Sequence, residues 1–289
     1  MSETILVPII YALIASAMFG AQGVLTMRSL NYLNAQTSSM SAMGVCVGIF
    51  WLLAPFFLKL EYFRNPGLWV FFANGLVHPL FSMLLGFEAI KRMGATVSST
   101  ISATAPLFAT AGAVLTLGEH VTLSLMLGTL GTVLGIMVLS WRRRGHPTWE
   151  LPALIFPIGA AIIRGGNHVL GRFGLQMLPS PYFAGLVSFT VSFVGAVAIY
   201  RYRTGRLPLR LHRLGLAWSA LAGVCISIGI LGMYSALHSG MVIVVSPVIA
   251  TYPLFTFFIT LLFRQEQMSL RILCGVVLVV GGLVWISAQ

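Results

Sequence analysis

Aspartate does not occur in this chain, and acidic residues of any kind number six in 289. Proton or ion coupling therefore cannot rest on an aspartate, and no paired carboxylates suggest a protease dyad or a metal site. Charged residues make up 8% of the chain, against about 25% in an average soluble domain. The few charges sit in short clusters between long apolar runs, too close together to leave room for a soluble domain. Cysteine is scarce as well: Cys46, Cys225 and Cys274 all lie in apolar runs, where they read as small buried side chains and not as a disulfide framework. No HExxH, Walker A or Cys-x-x-Cys segment occurs. Nothing therefore marks an enzyme, a bound cofactor or direct use of ATP. No cleavable leader is evident, because the first apolar run, Ile5 to Met27, is long enough to span a bilayer and lacks a basic start.

What the chain has in abundance is apolar length. Hydrophobic residues reach 58%, and the mean hydropathy is +0.94. A spanning helix needs about 20 apolar residues. Breakers such as Asn65-Pro66-Gly67, Gly145-His146-Pro147 and Pro179-Ser180-Pro181 divide the chain into ten such helices. They are expected near 5–28, 38–58, 67–88, 94–116, 122–141, 150–172, 181–201, 213–237, 241–263 and 269–287. Thr122 and Ser269 stand where the N-caps of helices five and ten belong. Glycines at 128, 131, 135, 275, 281 and 282 suit close helix contact in lipid.

The second half repeats the first. Ala-Thr-Ala-Pro-Leu-Phe at 103–108 returns 147 residues later as Ala-Thr-Tyr-Pro-Leu-Phe at 250–255. The same shift carries Ser99 to Ser246, Glu119 to Glu266, Gly128 to Gly275 and Gly135 to Gly282. About fourteen of 52 positions match without a gap between 89–140 and 236–287. The first two helices of each half align at a shift of 145, which lays Phe19-Gly20-Ala21-Gln22 over Arg164-Gly165-Gly166-Asn167. Residues 1–145 and 146–289 thus form two repeats of five helices. Five is odd, so the second repeat enters the membrane from the opposite side, and the expected fold is an all-α membrane bundle of two inverted repeats around a midplane site.

The segments Pro106–Trp141 and Pro253–Ile286 each carry a proline-bearing helix, a glutamate near the loop and a glycine-spaced helix. Together with Leu117-Gly118-Glu119 and Phe19-Gly20 they resemble the drug/metabolite transporter superfamily, specifically EamA-type permeases, over nearly the whole chain. Arg264-Gln265-Glu266 departs by losing the glycine, and Arg164-Gly165 replaces the aromatic-glycine pair. The resemblance implies a transporter in the cell inner membrane with cytoplasmic termini. Substrates across the family include amino acids, nucleobases, sugar derivatives and drugs.

Arg164 is the sharpest candidate site residue. Mid-span, a permanent positive charge is very unfavourable unless it faces a partner or water. It either holds a substrate carboxylate or phosphate, sits at the interface, or pairs with Glu88. Asn167 and His168 follow one turn later on the same face, and Gln22 is the repeat counterpart of Asn167. Asn74 and His78, one turn apart in helix three, are expected to face the same way. Ser99 and Ser246 are the hydroxyls favoured for the cavity, with Tyr234 and Tyr252 adding polar aromatic surface. Glu88 is read either as an interfacial ion-pair partner of Lys91 and Arg92 or as a coupling carboxylate. Pro106 and Pro253 break helical bonding mid-span and are candidate hinges. Glu119 and Glu266 are expected to be structural, complementing the positive ends of helices five and ten.

The reading is an alternating-access exporter of a small metabolite, such as an amino acid or related carboxylate. The alternatives are a lipid-linked sugar flippase and a non-transporting scaffold or sensor. Its partners are a small-molecule substrate and the lipid bilayer, which a monomer can serve. The net charge of +11 reads as a topology signal and calls for no nucleic acid. The loops after helices one, three, five, seven and nine hold thirteen Lys and Arg, against three (Lys59, Arg64 and Arg172) in the loops between them. By the positive-inside rule both termini then lie on the periplasmic face, opposite to what the family resemblance implies. A cysteine placed at position 2 should react with an impermeant reagent from outside, while one in the loop 201–213 should be spared. The reverse pattern restores cytoplasmic termini.

Overall fold

The apolar runs fold as helices, and among the described residues no strand occurs. The computed structural model describes residues 3–82, 85, 88–89, 101–102, 104–140, 151–205, 212–262 and 270–287. The first half supplies α1 (Glu3–Leu30), α2 (Ala35–Leu52), α3 (Gly67–Val77), α4 (Ala105–Leu117) and α5 (Leu123–Ser140). The second supplies α6 (Ile155–Met177), α7 (Pro181–Thr204), α8 (Arg213–Ser239), α9 (Val242–Ile249), α10 (Tyr252–Leu262) and α11 (Leu270–Ser287). Local chemistry sets several ends. Asn34 Oδ1 accepts from Thr37 N at 2.8 Å and opens α2. Ser180 caps α7 ahead of Pro181. Thr122 Oγ1 accepts from Leu125 N at 3.2 Å, as the sequence led us to expect for helix five. Gly118 and Gly205 close α4 and α7 with φ of 66° and 67°.

Three expected spans are not continuous helices. Helix three, expected over 67–88, ends at Val77, and His78 is extended (φ −126°, ψ 134°). Pro79 forces this, since the residue before proline is driven out of the helical region. Helix nine, expected over 241–263, divides into α9 and α10 around Ala250 and Thr251, just ahead of Pro253. In the helix four region, α4 begins at Ala105 after Thr104, whose hydroxyl donates to Ile101 O at 2.6 Å. Most of the earlier part of that expected span, including Ser99, lies outside the described residues. Helix six, expected to stop at 172, runs on to Met177, which leaves Arg164 near its middle and puts Arg172 inside it.

Helices of one half pack mainly on helices of the other: α1 and α2 on α8, α3 on α6 and α7, α4 on α6, α1 on α9 and α10, and α5 on α11. Small residues permit this closeness. Ala12 and Ala15 of α1 are fully buried, and a methyl on Gly232 of α8 would lie 3.0 Å from Tyr11 O. The centre of the core is aromatic, with Phe50, Phe71, Phe183 and Tyr234 buried together. The outer surface is apolar as well: Phe56, Trp69, Leu115, Val277 and Leu262 are exposed. Cys274 is exposed on that surface. The expectation of three buried cysteines therefore holds for Cys46, in part for Cys225, which is half-buried, and not for Cys274, which lies on the outer face of α11. Five stretches are long and apolar enough to cross a bilayer: Leu6–Leu30, Pro152–Met177, Pro181–Thr204, Arg213–Ser239 and Val242–Leu262, with shorter apolar helices between them.

The contact of α5 with α11 is nearly backbone to backbone. A methyl on Gly135 would sit 2.7 Å from Val279 N and 2.9 Å from Gly275 O. One on Gly282 would sit 2.7 Å from Gly128 O and from Thr132 N. Adjacent Gly281 has open space. Gly282→Val should therefore destabilise the protein by about 1–3 kcal/mol through overpacking, seen as a lower melting temperature in detergent, whereas Gly281→Ala should leave melting unchanged.

Candidate functional site

A cavity of about 550 Å³ lies among the helices of both halves, within the usual range for a small-molecule site. Two glycines at equivalent repeat positions shape it. A methyl on Gly20 of α1 would lie 2.8 Å from Tyr252 O and 2.9 Å from Thr256 N. A methyl on Gly165 of α6 would lie 2.8 Å from Ala105 O and 2.7 Å from Ala109 N. These are matching contacts, since Ala105 and Ala109 become Tyr252 and Thr256 on a shift of 147. In each half the bare backbone of a glycine touches the first turn of the proline-bearing helix of the other. The residue before each glycine, Phe19 or Arg164, then lines the cavity.

Equivalent positions meet throughout. Phe19 and Arg164, Gln22 and Asn167, Gly23 and His168, Ala105 and Tyr252, and Pro106 and Pro253 all line the same space. In three of these pairs the polar member belongs to the second half. Arg164 Nη1 lies 3.5 Å from Tyr252 Oη, a long hydrogen bond. Among the described residues no carboxylate pairs with Arg164; the ion pair found there joins Lys59 and Glu61 at the surface. His168 Nδ1 and Ser246 Oγ are 2.9 Å apart, and Gln22 Nε2 donates to Thr26 Oγ1 at 3.0 Å. His78 faces the same cavity, placed there by the break before Pro79.

Two expected lining residues sit one layer back. Asn74, 1% exposed, donates to Asn167 Oδ1 at 2.8 Å and to Tyr234 Oη at 3.2 Å. Tyr234 in turn donates to Ser188 Oγ at 3.3 Å. This chain ties α3, α6, α7 and α8 together and fixes the Asn167 amide from behind, a supporting role that corrects their assignment as lining residues. Asn74 and His78 part company because α3 ends between them. Glu88 does not line the cavity, and Glu266 lies outside the described residues, as Ser99 does. Residues not singled out in the sequence also line it, among them Ser102, Phe189, Met233 and Thr256. The repeat held a signal for one of them: Ser102 is the counterpart of Ile249, which lines it too.

Glu119 has a different partner from the one expected. Its two carboxylate oxygens accept from Val242 N at 2.9 Å and Ile243 N at 3.0 Å. It caps α9, in the other half, and not helix five; Thr122 already serves that helix. Arg172 does the converse, donating from Nη1 to Leu237 O at 2.7 Å and to His238 O at the end of α8. Nearby, Asn65 Nδ2 donates to Met177 O at 3.2 Å and Tyr182 Oη donates to Phe50 O. All four ties lie on the side of the loops after helices two, four, six and eight. The cavity lining extends the other way, to Thr26 and Met27 near the end of α1 and Ser39 near the start of α2.

The sequence profile of the EamA-like transporter family matches residues 6–141 and again 151–288. No curated protein matches the chain significantly. A solved crystal structure superposes with a TM-score of 0.80, covering 95% of this chain and 95% of the other at 15% sequence identity, a likeness that concerns the fold alone.

Hydrogen bonds to a charged group contribute about 1.5–3 kcal/mol when desolvated, and less where water competes. Glu119 is partly exposed. Glu119→Ala should therefore lower stability by about 1–2 kcal/mol, read as a fall in melting temperature. Glu119→Gln, which keeps one acceptor, should fall between it and the native chain.

Proposed function

Because the chain belongs to the EamA-like transporter family, which makes it a multi-pass membrane protein that moves small molecules, we propose that it exports a small metabolite bearing a carboxylate, an amino acid or a related acid, by alternating access across the inner membrane. The observation that carries this reading is Arg164: a guanidinium in the middle of α6, lining a cavity shared by both halves, with no carboxylate partner among the described residues. A guanidinium fork binds a carboxylate through two parallel hydrogen bonds, and such a charge at membrane depth is tolerated when it faces a water-filled space. Asn167, His168, Gln22, Ser246 and Tyr252 surround it as further substrate contacts, and His78 closes the ring.

In this proposal the chain spans the membrane ten times, as two inverted five-helix repeats at 1–145 and 146–289. The matched glycine contacts, in which each repeat does to the other what the other does to it, support a two-fold relation. Both termini lie on the periplasmic face, following the basic bias of the loops. The cavity then opens to the cytoplasm, and the four ties at the other end hold the periplasmic side shut. Export requires the reverse arrangement, so Glu119 must release α9 and Arg172 must release α8, with bending at Pro106 and Pro253, where the helices are already interrupted.

The test is uptake into proteoliposomes of a panel of radiolabelled amino acids and their related acids. Arg164→Lys should slow carboxylate transport roughly tenfold, because an ammonium cannot make the bidentate contact. Arg164→Gln should abolish it while melting stays normal. Normal transport by both variants overturns the assignment of Arg164 as the substrate's seat.

A further inference from the structure

The cavity offers one fixed positive charge and, among the described residues, no carboxylate to balance it. Described glutamates are otherwise placed: Glu119 is taken up by α9, and neither Glu61 nor Glu88 lines the space. Much of the remaining wall is apolar, with Phe19, Met43, Phe189, Ile230 and Met233 facing inward. Both halves supply polar groups, Gln22, Ser39, His78 and Ser102 from the first among them, but the fixed charge comes from the second. At three equivalent pairs the second half presents Arg164, His168 and Tyr252 where the first presents Phe19, Gly23 and Ala105. The fold itself requires no such imbalance, because the glycine contacts that place Phe19 and Arg164 are the same in both halves.

From this we infer that the substrate is a monoanionic carboxylic acid with an apolar body and no ammonium group: a deaminated acid, not the zwitterionic amino acid. This rests on the reading of Arg164 as the carboxylate seat and narrows what that seat accepts. The carboxylate lies against Arg164 and Tyr252, with the body across the wall made by Phe19, Met43 and Met233. An α-ammonium group would stand within a few bonds of the guanidinium. It would be repelled by that charge and, among the described residues, offered only neutral acceptors, in a space where water screens poorly. A site built around one cation discriminates by leaving a second cation unpaired.

Matched ligands test this on the purified full-length protein in detergent, by thermal-shift titration, and in proteoliposomes, by inhibition of counterflow. The first series shares one aromatic body: 3-phenylpropionate, L-phenylalanine and 3-phenylpropanol. A second, branched aliphatic pair, 4-methylpentanoate and L-leucine, guards against a misfit of the ring. In the native chain the two deaminated acids should bind at least tenfold more tightly than their amino acids, and 3-phenylpropionate should exceed the alcohol by a similar factor. Arg164→Gln should remove the advantage of 3-phenylpropionate over the alcohol without altering binding of the alcohol. If the amino acids bind as tightly as the deaminated acids, and both weaken in Arg164→Gln, the present inference fails while Arg164 remains the carboxylate seat. If no carboxylate responds to Arg164→Gln, that seat fails too. Failure of every ligand in both series overturns the apolar-bodied class.

Discussion

Two glycine contacts set the rest of this structure. Gly20 and Gly165 bring the backbones of α1 and α6 onto the first turns of α10 and α4, with no side chain between. Any Cβ at either position would meet backbone atoms closer than van der Waals contact allows, so neither contact survives a larger residue without a shift of the helix. Each half is thereby fastened to the interrupted helix of the other. The cavity is the space left beside these contacts, and its lining residues follow from them. Once Gly165 is pinned, Arg164 and, one turn on, Asn167 and His168 point into that space, as Phe19, Gln22 and Gly23 do from the other side.

Placement by the same backbone contacts, filled by unlike side chains, produces a lopsided site. The structural frame is shared between the halves and the chemistry is not. A guanidinium at one position of a repeated frame and a phenyl ring at the other give the cavity a charged wall and an apolar wall. The buried chain from Asn74 through Asn167 and Tyr234 to Ser188 holds the charged wall's helix in register with three neighbours. Such a network is favourable only when nearly all its groups are bonded. Here the Asn74 amide nitrogen is bonded twice, while its buried Oδ1 has no partner among the described residues.

The two ends of the bundle differ in what holds them. On the side of the loops after helices two, four, six and eight, the unpaired backbone groups at the start of α9 and the end of α8 are satisfied by charged side chains, Glu119 and Arg172. Both arrangements follow the helix dipole, an anion at the N-terminus and a cation at the C-terminus. On the other side the cavity lining runs toward the chain ends at Thr26 and Ser39. A few charge-assisted hydrogen bonds at one end of an otherwise apolar bundle are the sort of contact that can exchange between two states, because each is local and modest in free energy.

Hydropathy, the 147-residue repeat and the glycine spacing were enough to read an all-helical, internally duplicated membrane protein, because lipid leaves a chain few other ways to satisfy its backbone; the transporter family came from the resemblance of its proline, glutamate and glycine segments to EamA-type permeases. A charge in mid-span picked out Arg164, helical spacing Asn167 and His168, and the repeat Gln22 and Ser246, all of which line one cavity. Where the sequence reading went astray, the deciding contact lay between distant segments or in the local effect of a proline. Pro79 separated His78 from Asn74; Tyr234 proved to be a second-layer support; Glu119 capped a helix 123 residues away. The sequence by itself determined which stretches are helices and which positions are equivalent, since periodicity and repetition are properties of the chain. Which side chains share a space, and which backbone ends they satisfy, was decided by the tertiary structure alone, because those partners are set by how helices far apart in sequence approach one another.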